Sequence, residues 1–412
     1  MKFKKKFLSL FIIFIVFFSN VAFANEPNIA SSAAILVESS TGKILYEKNA
    51  YEKMYPASTT KIMTAILALE NCDLDEKAKV SYNAVYSLPS GYVNANLING
   101  EEIAIKDLMY ALLVKSANDA AIVLAEHIGG SVENFSEMMN KKAKELGCQN
   151  TNFINPNGIH NNNHYSTAYD LYLIASYCMK NETFRKYVST TNYTLPATNK
   201  YEATDRVCIT TNDMLRPKSK YYNKNVIGIK TGYTTESQNC LIAAAEKNGI
   251  QLISVVLHGE TNPDGSSQRY IDTTNLFNYG FDDFKFTDII TKGKVIKNIE
   301  IPNASKDTKQ LDLIAEDTLN GYLKNNIDTN NLSYEIDLNE SIEAPIQENS
   351  VLGNITYTID NISYKTNLLA SHSVKKKFNI KILLLMFGLF LLIKGILLLL
   401  KFRNKKLKKR RK

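Results

Sequence analysis

The chain has 412 residues and a formal net charge of +8, but the positive charge is concentrated at its two ends. The first 24 residues hold four lysines and no acid, and residues 373–412 hold fourteen Lys or Arg and no acid, which leaves the body at −10. A basic surface is the electrostatic mark of a nucleic-acid partner. The acidic body therefore argues against nucleic-acid binding, and its length is enough for two domains.

The N-terminal residues have the order of a secretory signal peptide. Four lysines within residues 2–6 precede an apolar run over 7–18, and Ala22-Phe-Ala24 then places small residues on either side of a bulky one. This order predicts a signal peptide over residues 1–24 that is cleaved after Ala24. An uncleaved membrane anchor is the alternative, and the short apolar run makes it the weaker one.

The C-terminal residues predict one membrane-spanning helix over 378–400. Residues 382–400 are apolar except for Lys394 and two glycines, and with 378–380 they approach the roughly 20 residues that a spanning helix needs. Nine Lys or Arg lie in the tail 401–412, against four on the other side of the apolar run 382–400. Because the more basic flank stays inside, we expect a cytoplasmic tail and a body outside the cell membrane.

Between these ends, the pattern of the body predicts an α+β domain over residues 25–285. A strand hairpin (33–38 and 44–48) comes first, and strand patterns return at 226–230, 240–246 and 252–258. Helical periodicity fills the interval and closes the domain, at 59–69, 105–114, 117–128, 132–146, 168–179 and 269–279. Thr167 and Asp170 have the spacing of a capping box before the fifth of these helices. We expect one antiparallel sheet covered by helices, with an inserted helical lobe.

The composition changes after residue 285. Short runs such as 295–301, 334–338 and 355–359 alternate apolar and polar residues, and turn residues separate them. This pattern predicts a small all-β sandwich domain over 286–372. It contains no catalytic constellation, so we interpret it as a spacer between the first domain and the membrane.

The cysteines and histidines show no metal signature. Five widely spaced cysteines occur without a C-x-x-C, at positions 72, 148, 178, 208 and 240. They are expected to be small buried hydrophobes with at most one or two bridges. His160 and His164 are four apart, but they lie in a loop-like stretch. The sequence predicts neither a metal site nor a cofactor.

Ser58-Thr-Thr-Lys61 opens the first long helical segment. Positions i and i+3 share a helix face, and the helix N-terminus favours a developing anion near Ser58. Serine is a weak nucleophile that needs a base, and a buried lysine can serve when its pKa falls toward ~7–8. Alone, the motif fits an N-cap serine followed by a solvated lysine better than it fits catalysis.

Two further motifs follow along the chain. Ser116-Ala-Asn118, at a turn between helices, offers a hydroxyl that can relay a proton and an amide that can hold a substrate carbonyl. Lys230-Thr-Gly232, at a predicted strand end, offers a positive charge, a hydroxyl for a carboxylate, and a glycine that lets an extended peptide approach the strand. Each motif alone also fits an ordinary turn or strand end.

In this order the three motifs resemble those of the penicillin-recognising serine enzymes. The flanking sequences PASTTKIMT (56–64), FINPNG (153–158), HYSTA (164–168) and GIKTGYT (228–234) are similar to the low-molecular-mass penicillin-binding proteins that act as D-alanyl-D-alanine carboxypeptidases. The resemblance covers about residues 30–283, and the β domain and anchor match that family's layout. It implies an α+β fold of the β-lactamase/transpeptidase type.

The resemblance also implies roles for nine residues. Ser58 would be the acylated serine, Lys61 its general base and Ser116 a proton relay. Backbone N–H groups of Ser58 and Tyr233 would form the oxyanion hole. Substrate binding would fall to Asn118, Lys230, Thr231, Gly232, Tyr233 and Arg269. Arg269 carries the weakest case, because it rests on a twelve-residue spacing to Phe281 and a solvated helix arginine fits nearly as well.

The implied function is removal of the terminal D-alanine from peptidoglycan peptides ending in D-Ala-D-Ala, with covalent binding of β-lactam antibiotics. A class A-like β-lactamase is one alternative. It is disfavoured because Ala117 stands where many of those enzymes have Asp, and residues 147–180 contain no Glu. A membrane-anchored sensor of wall peptides or β-lactams is another, and the short tail 401–412 offers it no signalling domain.

Overall fold

The computed structural model describes residues 26–378 and 380–409. The chain divides between Phe284 and Lys285 into two compact units. The predicted signal peptide, residues 1–24, lies outside the described residues.

A five-stranded antiparallel sheet forms the centre of the first unit, in the order β2-β1-β9-β8-β7. Two separate antiparallel strand pairs, β3–β4 and β5–β6, lie outside this sheet. The strands are β1 Ala33–Glu38, β2 Lys43–Lys48, β3 Lys77–Lys79, β4 Glu102–Ala104, β5 Asn192–Thr194, β6 Val207–Ile209, β7 Val226–Thr234, β8 Gln238–Lys247 and β9 Ile250–Gly259. The long strand β7 is an edge of the sheet, which leaves one side of it open to other groups.

Both faces of this sheet are covered, which explains why β1 (AAILVE) is buried at every position. Alternate strand residues point to opposite faces. Ile35 and Val37 join the core that includes the helical lobe. Leu36 faces the last helix of the unit, where a Cβ added to Gly280 would lie 2.9 Å from it. The predicted α+β class, with one antiparallel sheet covered by helices, is confirmed.

The helices of the first unit follow the predicted order. Their bounds are α1 Lys61–Asn71, α2 Tyr82–Tyr86, α3 Ile105–Tyr110, α4 Asn118–Gly129, α5 Val132–Glu145, α6 Ala168–Met179, α7 Glu182–Ser189 and α8 Gln268–Asp282. A 3-10 turn over Ala57–Thr60 precedes α1, and a π-helical turn over Ala111–Lys115 continues α3. The sequence did not predict α2, α7 or the two short strand pairs, which are too brief to carry a clear periodicity.

The capping box is half present. The Thr167 hydroxyl accepts from the Asp170 backbone N–H at 2.9 Å, as predicted. The Asp170 carboxylate instead accepts from the Asn150 N–H at 2.8 Å and the Thr151 hydroxyl at 2.7 Å. Asp170 therefore fixes the loop that leads into residues 153–158.

The second unit consists of β strands up to the start of its C-terminal helix, so the predicted small all-β fold is confirmed. A five-stranded antiparallel sheet (order β11-β12-β16-β15-β14) and a two-stranded sheet (β10-β13) share one apolar core. The strands are β10 Phe284–Ile290, β11 Val295–Glu300, β12 Gln310–Ala315, β13 Leu319–Lys324, β14 Tyr334–Leu338, β15 Val351–Ile359 and β16 Ile362–Ala370. Val374 is buried and pairs with Ile346, and Lys376 pairs with Ala304, so the pairing runs past residue 372.

One helix, α9 Ile380–Lys409, follows the β strands. Its stretch Leu383–Asn404 has a mean hydropathy of 2.8. Among the described residues, α9 is the one helix that is long and apolar enough to cross a membrane.

All five cysteines are free thiols, and four of them are buried. The bridges that the sequence left open do not form in this structure. Cys148, Cys178, Cys208 and Cys240 are packed as small hydrophobes.

A buried ion pair joins β6 to the turn before β4. Arg206 donates from Nη2 to Glu101 Oε1 at 2.6 Å and from Nη1 to Oε2 at 3.1 Å. The two side chains are 3% and 0% exposed. Thr198 also donates to this carboxylate, at 2.8 Å.

Replacing Arg206 by Ala should destabilise the first unit by about 3–5 kcal/mol, because it leaves the Glu101 carboxylate buried and unpaired. Thermal or denaturant unfolding followed by circular dichroism measures the loss. Lys106→Ala is the matched control, since it breaks an ion pair whose side chains are 48% and 79% exposed. Equal stability of the Arg206→Ala and Lys106→Ala variants would contradict this account.

Candidate active site

A cleft of about 460 Å³ gathers seven of the nine predicted site residues in its lining: Ser58, Ser116, Asn118, Thr231, Gly232, Tyr233 and Arg269. The other two, Lys61 and Lys230, are buried, at 0% and 1% exposed. The walls of the cleft are the turn before α1, the start of α4 and the edge strand β7.

The turn that carries Ser58 has an unusual backbone. Ala57 has a φ of +47°, in the left-handed region that non-glycine residues seldom occupy. Ser58 therefore stands in the 3-10 turn and not within the regular helix. Gly158 lies against this turn, and a Cβ there would fall 1.8 Å from the Ala57 carbonyl oxygen. Only glycine allows the two segments to approach so closely.

Lys61 lies at the centre of the hydrogen-bond network. Its Nζ is 2.8 Å from Ser58 Oγ, 2.8 Å from Asn118 Oδ1 and 2.7 Å from the Asn157 carbonyl oxygen. The two carbonyl oxygens can only accept, whereas the hydroxyl can also donate. A neutral amine would give its two N–H groups to the carbonyls and turn its lone pair to the serine O–H. This is the geometry of a general base beside its nucleophile.

The electrostatics favour the neutral amine. Burial lowers the pKa of Lys61 well below its usual value, and the charge of Lys230 adds to this, while Asp119 acts in the opposite direction. Burial also lowers the pKa of Lys230 to about 7, helped by the positive charge of Arg269. Both lysines can therefore lose a proton much nearer neutral pH than a surface lysine can.

The Ser-Ala-Asn motif begins α4. Asn118 Oδ1 accepts from Lys61 Nζ, and Asn118 Nδ2 donates to the Val93 carbonyl at 2.8 Å, so this side chain positions Lys61 and also holds the 90–93 loop at the cleft. Ser116 has a φ of +67°. This left-handed residue ends the π-helical turn and directs the chain into α4.

The Lys-Thr-Gly motif lies on β7. Lys230 Nζ donates to the Thr231 carbonyl at 2.9 Å, and the Thr231 hydroxyl pairs with that of Thr211 at 2.5 Å. A Cβ on Gly232 would lie 3.0 Å from the Pro56 carbonyl oxygen and 3.1 Å from the Ser58 nitrogen. The glycine thus lets β7 pack closely against the turn that carries Ser58, a reason that the sequence did not reveal.

Arg269 reaches the cleft from α8. Its Nη1 donates to the Gly232 carbonyl at 3.1 Å, and its guanidinium lies 4.8 Å from the Tyr270 ring centroid. It is therefore not the solvated helix arginine that the sequence also allowed. Tyr233, 59% exposed, stands at the mouth of the cleft.

Asn157 is the functional residue that the sequence analysis missed. Its carbonyl accepts from Lys61, and the Ser58 hydroxyl lies 3.5 Å away. The FINPNG segment was noted for its resemblance, but a backbone acceptor has no residue-type signal. Its Pro156-Asn-Gly158 turn was the available hint.

Two side chains of α1 and its turn fix this segment. Thr64 donates to the Pro156 carbonyl at 2.6 Å. His164 Nδ1 accepts from the Ile154 N–H at 3.0 Å, so Nε2 carries the proton toward the Thr60 hydroxyl, 2.9 Å away. Burial, with the charges of His160 and Lys61, lowers the pKa of His164 to about 3. His164 is a neutral structural residue.

Comparisons with known proteins show the family of the chain. Residues 20–261 match the family model described as D-alanyl-D-alanine carboxypeptidase, and residues 284–376 match that of the penicillin-binding protein 5 C-terminal domain. The first match spans more than half of the chain. The protein therefore belongs to the D-alanyl-D-alanine carboxypeptidase family, and the recognition made from the motifs is confirmed.

Three similar proteins show how far the sequence and structural similarity extends along the chain. The chain is 32% identical to the D-alanyl-D-alanine carboxypeptidase DacF of Bacillus subtilis, over 86% of this chain and 91% of DacF. It is 37% identical to the D-alanyl-D-alanine carboxypeptidase of Streptomyces sp. strain K15, over 62% and 89%. The solved structure of penicillin-binding protein 5 from Haemophilus influenzae superposes with a TM-score of 0.63 at 26% identity, over 85% of this chain and 99% of that one.

Replacing Gly158 by Ala should lower kcat/KM for a D-Ala-D-Ala peptide by about 100-fold, the usual consequence of displacing a catalytic group by 1 Å. The added methyl group collides with the Ala57 carbonyl and moves the Asn157 acceptor away from Lys61. Gly265→Ala is the control, because its φ is also left-handed (+77°) and no atom lies within 4 Å of the new Cβ. Equal activity of the two variants would show that the close approach is dispensable.

Proposed function

We propose that this enzyme removes the terminal D-alanine from peptidoglycan pentapeptides through an acyl-enzyme on Ser58, and that β-lactams acylate the same serine. The observation that carries the proposal is the buried Lys61 amine 2.8 Å from the Ser58 hydroxyl. Because the pKa of this lysine is lowered, its neutral amine can act as the base, and the proposal needs neither a histidine nor a metal.

In acylation, the Ser58 O–H gives its proton to Lys61 Nζ while Oγ attacks the carbonyl carbon of the penultimate D-alanine. The oxyanion is received by the backbone N–H groups of Ser58 and Tyr233, each worth about 10²–10³ in rate. The C–N bond then breaks, and the leaving amine takes a proton from Lys61 by way of the Ser116 hydroxyl. The products are the acyl-enzyme and free D-alanine.

The terminal carboxylate binds at the β7 side of the cleft. Lys230, Thr231 and Arg269 provide two cations and a hydroxyl there. A bound carboxylate favours the charged form of Lys230, so it raises the pKa of that lysine above the value of about 7 in the free enzyme. Binding therefore reinforces the charge on which it depends.

In deacylation, water enters where D-alanine sat, and Lys61 or Ser116 takes its proton as it attacks the ester. With penicillin the leaving group stays covalently attached within the adduct. The leaving group therefore continues to block the approach of water to the ester carbonyl.

Replacing Ser58 by Ala should abolish covalent labelling by a fluorescent penicillin and also D-alanine release, with the fold retained. Intact-protein mass spectrometry and product analysis on a D-Ala-D-Ala pentapeptide measure both. In the wild type, the penicilloyl adduct should outlast the peptide acyl-enzyme by at least about tenfold, or about 1.4 kcal/mol in barrier.

Undiminished labelling of Ser58→Ala would remove Ser58 from its role. A penicilloyl adduct that clears as fast as peptide is hydrolysed would favour the β-lactamase alternative. Labelling without any peptide cleavage would favour the sensor.

We propose that residues 378–400, which include the larger part of α9, anchor the enzyme in the cell membrane, with the first unit outside and the basic tail 401–412 in the cytoplasm. The apolar stretch Leu383–Asn404 and the charge bias support this. On this reading the all-β unit is a spacer between enzyme and membrane.

Ending the chain after Phe378 should release active enzyme into the medium, because this cut removes the span and keeps the pairing of Val374 and Lys376. Fractionation of cells and medium measures the release. Retention of the truncated chain on membranes after a salt wash would place the anchor elsewhere.

A further inference from the structure

A thiol, a carboxylate and an imidazole converge on the first unit, outside the cleft. One ligand atom from each of Cys72, Glu76 and His127 lies within 4.8 Å of the other two. His127 Nε2 and Glu76 Oε1 are already 3.2 Å apart. We infer that these three residues form a binding site for one zinc-like divalent ion.

The donor set fits zinc chemically. Zinc accepts thiolate, imidazole and carboxylate at about 2.0–2.3 Å in tetrahedral geometry, which sets its ligand atoms about 3.5 Å apart. The three atoms therefore need to close by little more than 1 Å. Glu76 and His127 side chains are 41% and 30% exposed, so they can rotate and an ion can reach them. Magnesium and calcium prefer oxygen donors alone, so the thiol excludes them as the preferred ion.

The surrounding charge also favours a cation. Cys72 caps the C-terminal end of α1, and His127 lies in the last turn of α4. Helix C-termini carry partial negative charge, and here two of them meet.

The nearby lysines are engaged by other acids. Lys106 bonds Asp75 at 2.6 Å, and Lys142 bonds Glu70 at 2.7 Å. Glu76 itself is hydrogen-bonded to the two other members of the cluster, to His127 at 3.2 Å and to the Cys72 side chain.

The position suggests what the ion would do. α1 begins at Lys61 beside Ser58, and α4 begins at Asn118, so the near ends of these helices carry the catalytic network. The far ends of the same two helices carry Cys72 and His127. Binding would form a Zn–S bond and release the thiol proton to solvent. The ion would join the two helices at the end opposite the cleft and stabilise the lobe without entering the chemistry.

The test uses the full chain without a histidine tag, purified in detergent with its thiols reduced and stripped of metal with EDTA. Titration with Zn²⁺ should reach one equivalent, and Co²⁺ should give the near-ultraviolet charge-transfer band of a cobalt thiolate. Cys72→Ser should lose that band. His127→Gln and Glu76→Gln should weaken zinc binding by at least about tenfold, the lower bound for losing even an outer-shell partner. Zinc should raise the Tm of the wild type and not that of Cys72→Ser.

Cys208→Ser and His372→Gln are the matched controls, and both should bind zinc as the wild type does. Far-ultraviolet circular dichroism checks that each variant is folded. The inference is overturned if the wild type takes up no equivalent of zinc, or if Cys72→Ser binds it as tightly as the controls. Because binding and Tm are read without substrate, these results do not depend on the proposed function.

Discussion

The amine of Lys61 is the group on which the whole active site depends. It is removed from water and held between one hydroxyl and two carbonyl oxygens. Each partner comes from a different part of the chain: the turn before α1, the start of α4 and the loop that carries Asn157. The positive φ of Ala57, the absence of a Cβ at Gly158 and the ordered neutral His164 all serve to bring these segments within reach of one nitrogen.

Burying lysines costs stability, and the pH range of that cost follows from the sign of the shift. Lys230 has a pKa of about 7 in the folded chain against 10.5 ordinarily, so the unfolded chain binds the proton more tightly. The cost is on the order of 5 kcal/mol at and below pH 7, and it falls as pH rises from about 7 toward 10.5. Such a destabilised site is maintained by the packing of a sheet that is buried on both faces.

The residues that the structure gathers at the cleft could be predicted because their side chains define motifs at helix and strand ends. The α+β class followed equally from periodicity and order along the chain. What could not be predicted depends on contacts distant in sequence: the Asn157 carbonyl, the packing of Gly232 against Ser58, and the 90–93 loop bonded to Asn118. The second half of the predicted capping box was wrong for the same reason, because the Asp170 carboxylate accepts a hydrogen bond from Asn150, twenty residues earlier in the chain.

The most direct test is the pH dependence of the acylation rate at saturating penicillin. Under this condition, carboxylate binding by Lys230 no longer affects the measured rate. A neutral lysine base predicts a rate that rises with pH and levels off well below 10.5, the ordinary pKa of lysine. Asn118→Asp places a carboxylate beside Nζ, which stabilises the ammonium and should move the rising limb upward by about 1–3 pH units. A wild-type rate that climbs all the way to pH 10.5, or a limb that Asn118→Asp leaves in place, would contradict the assignment of Lys61 as the base.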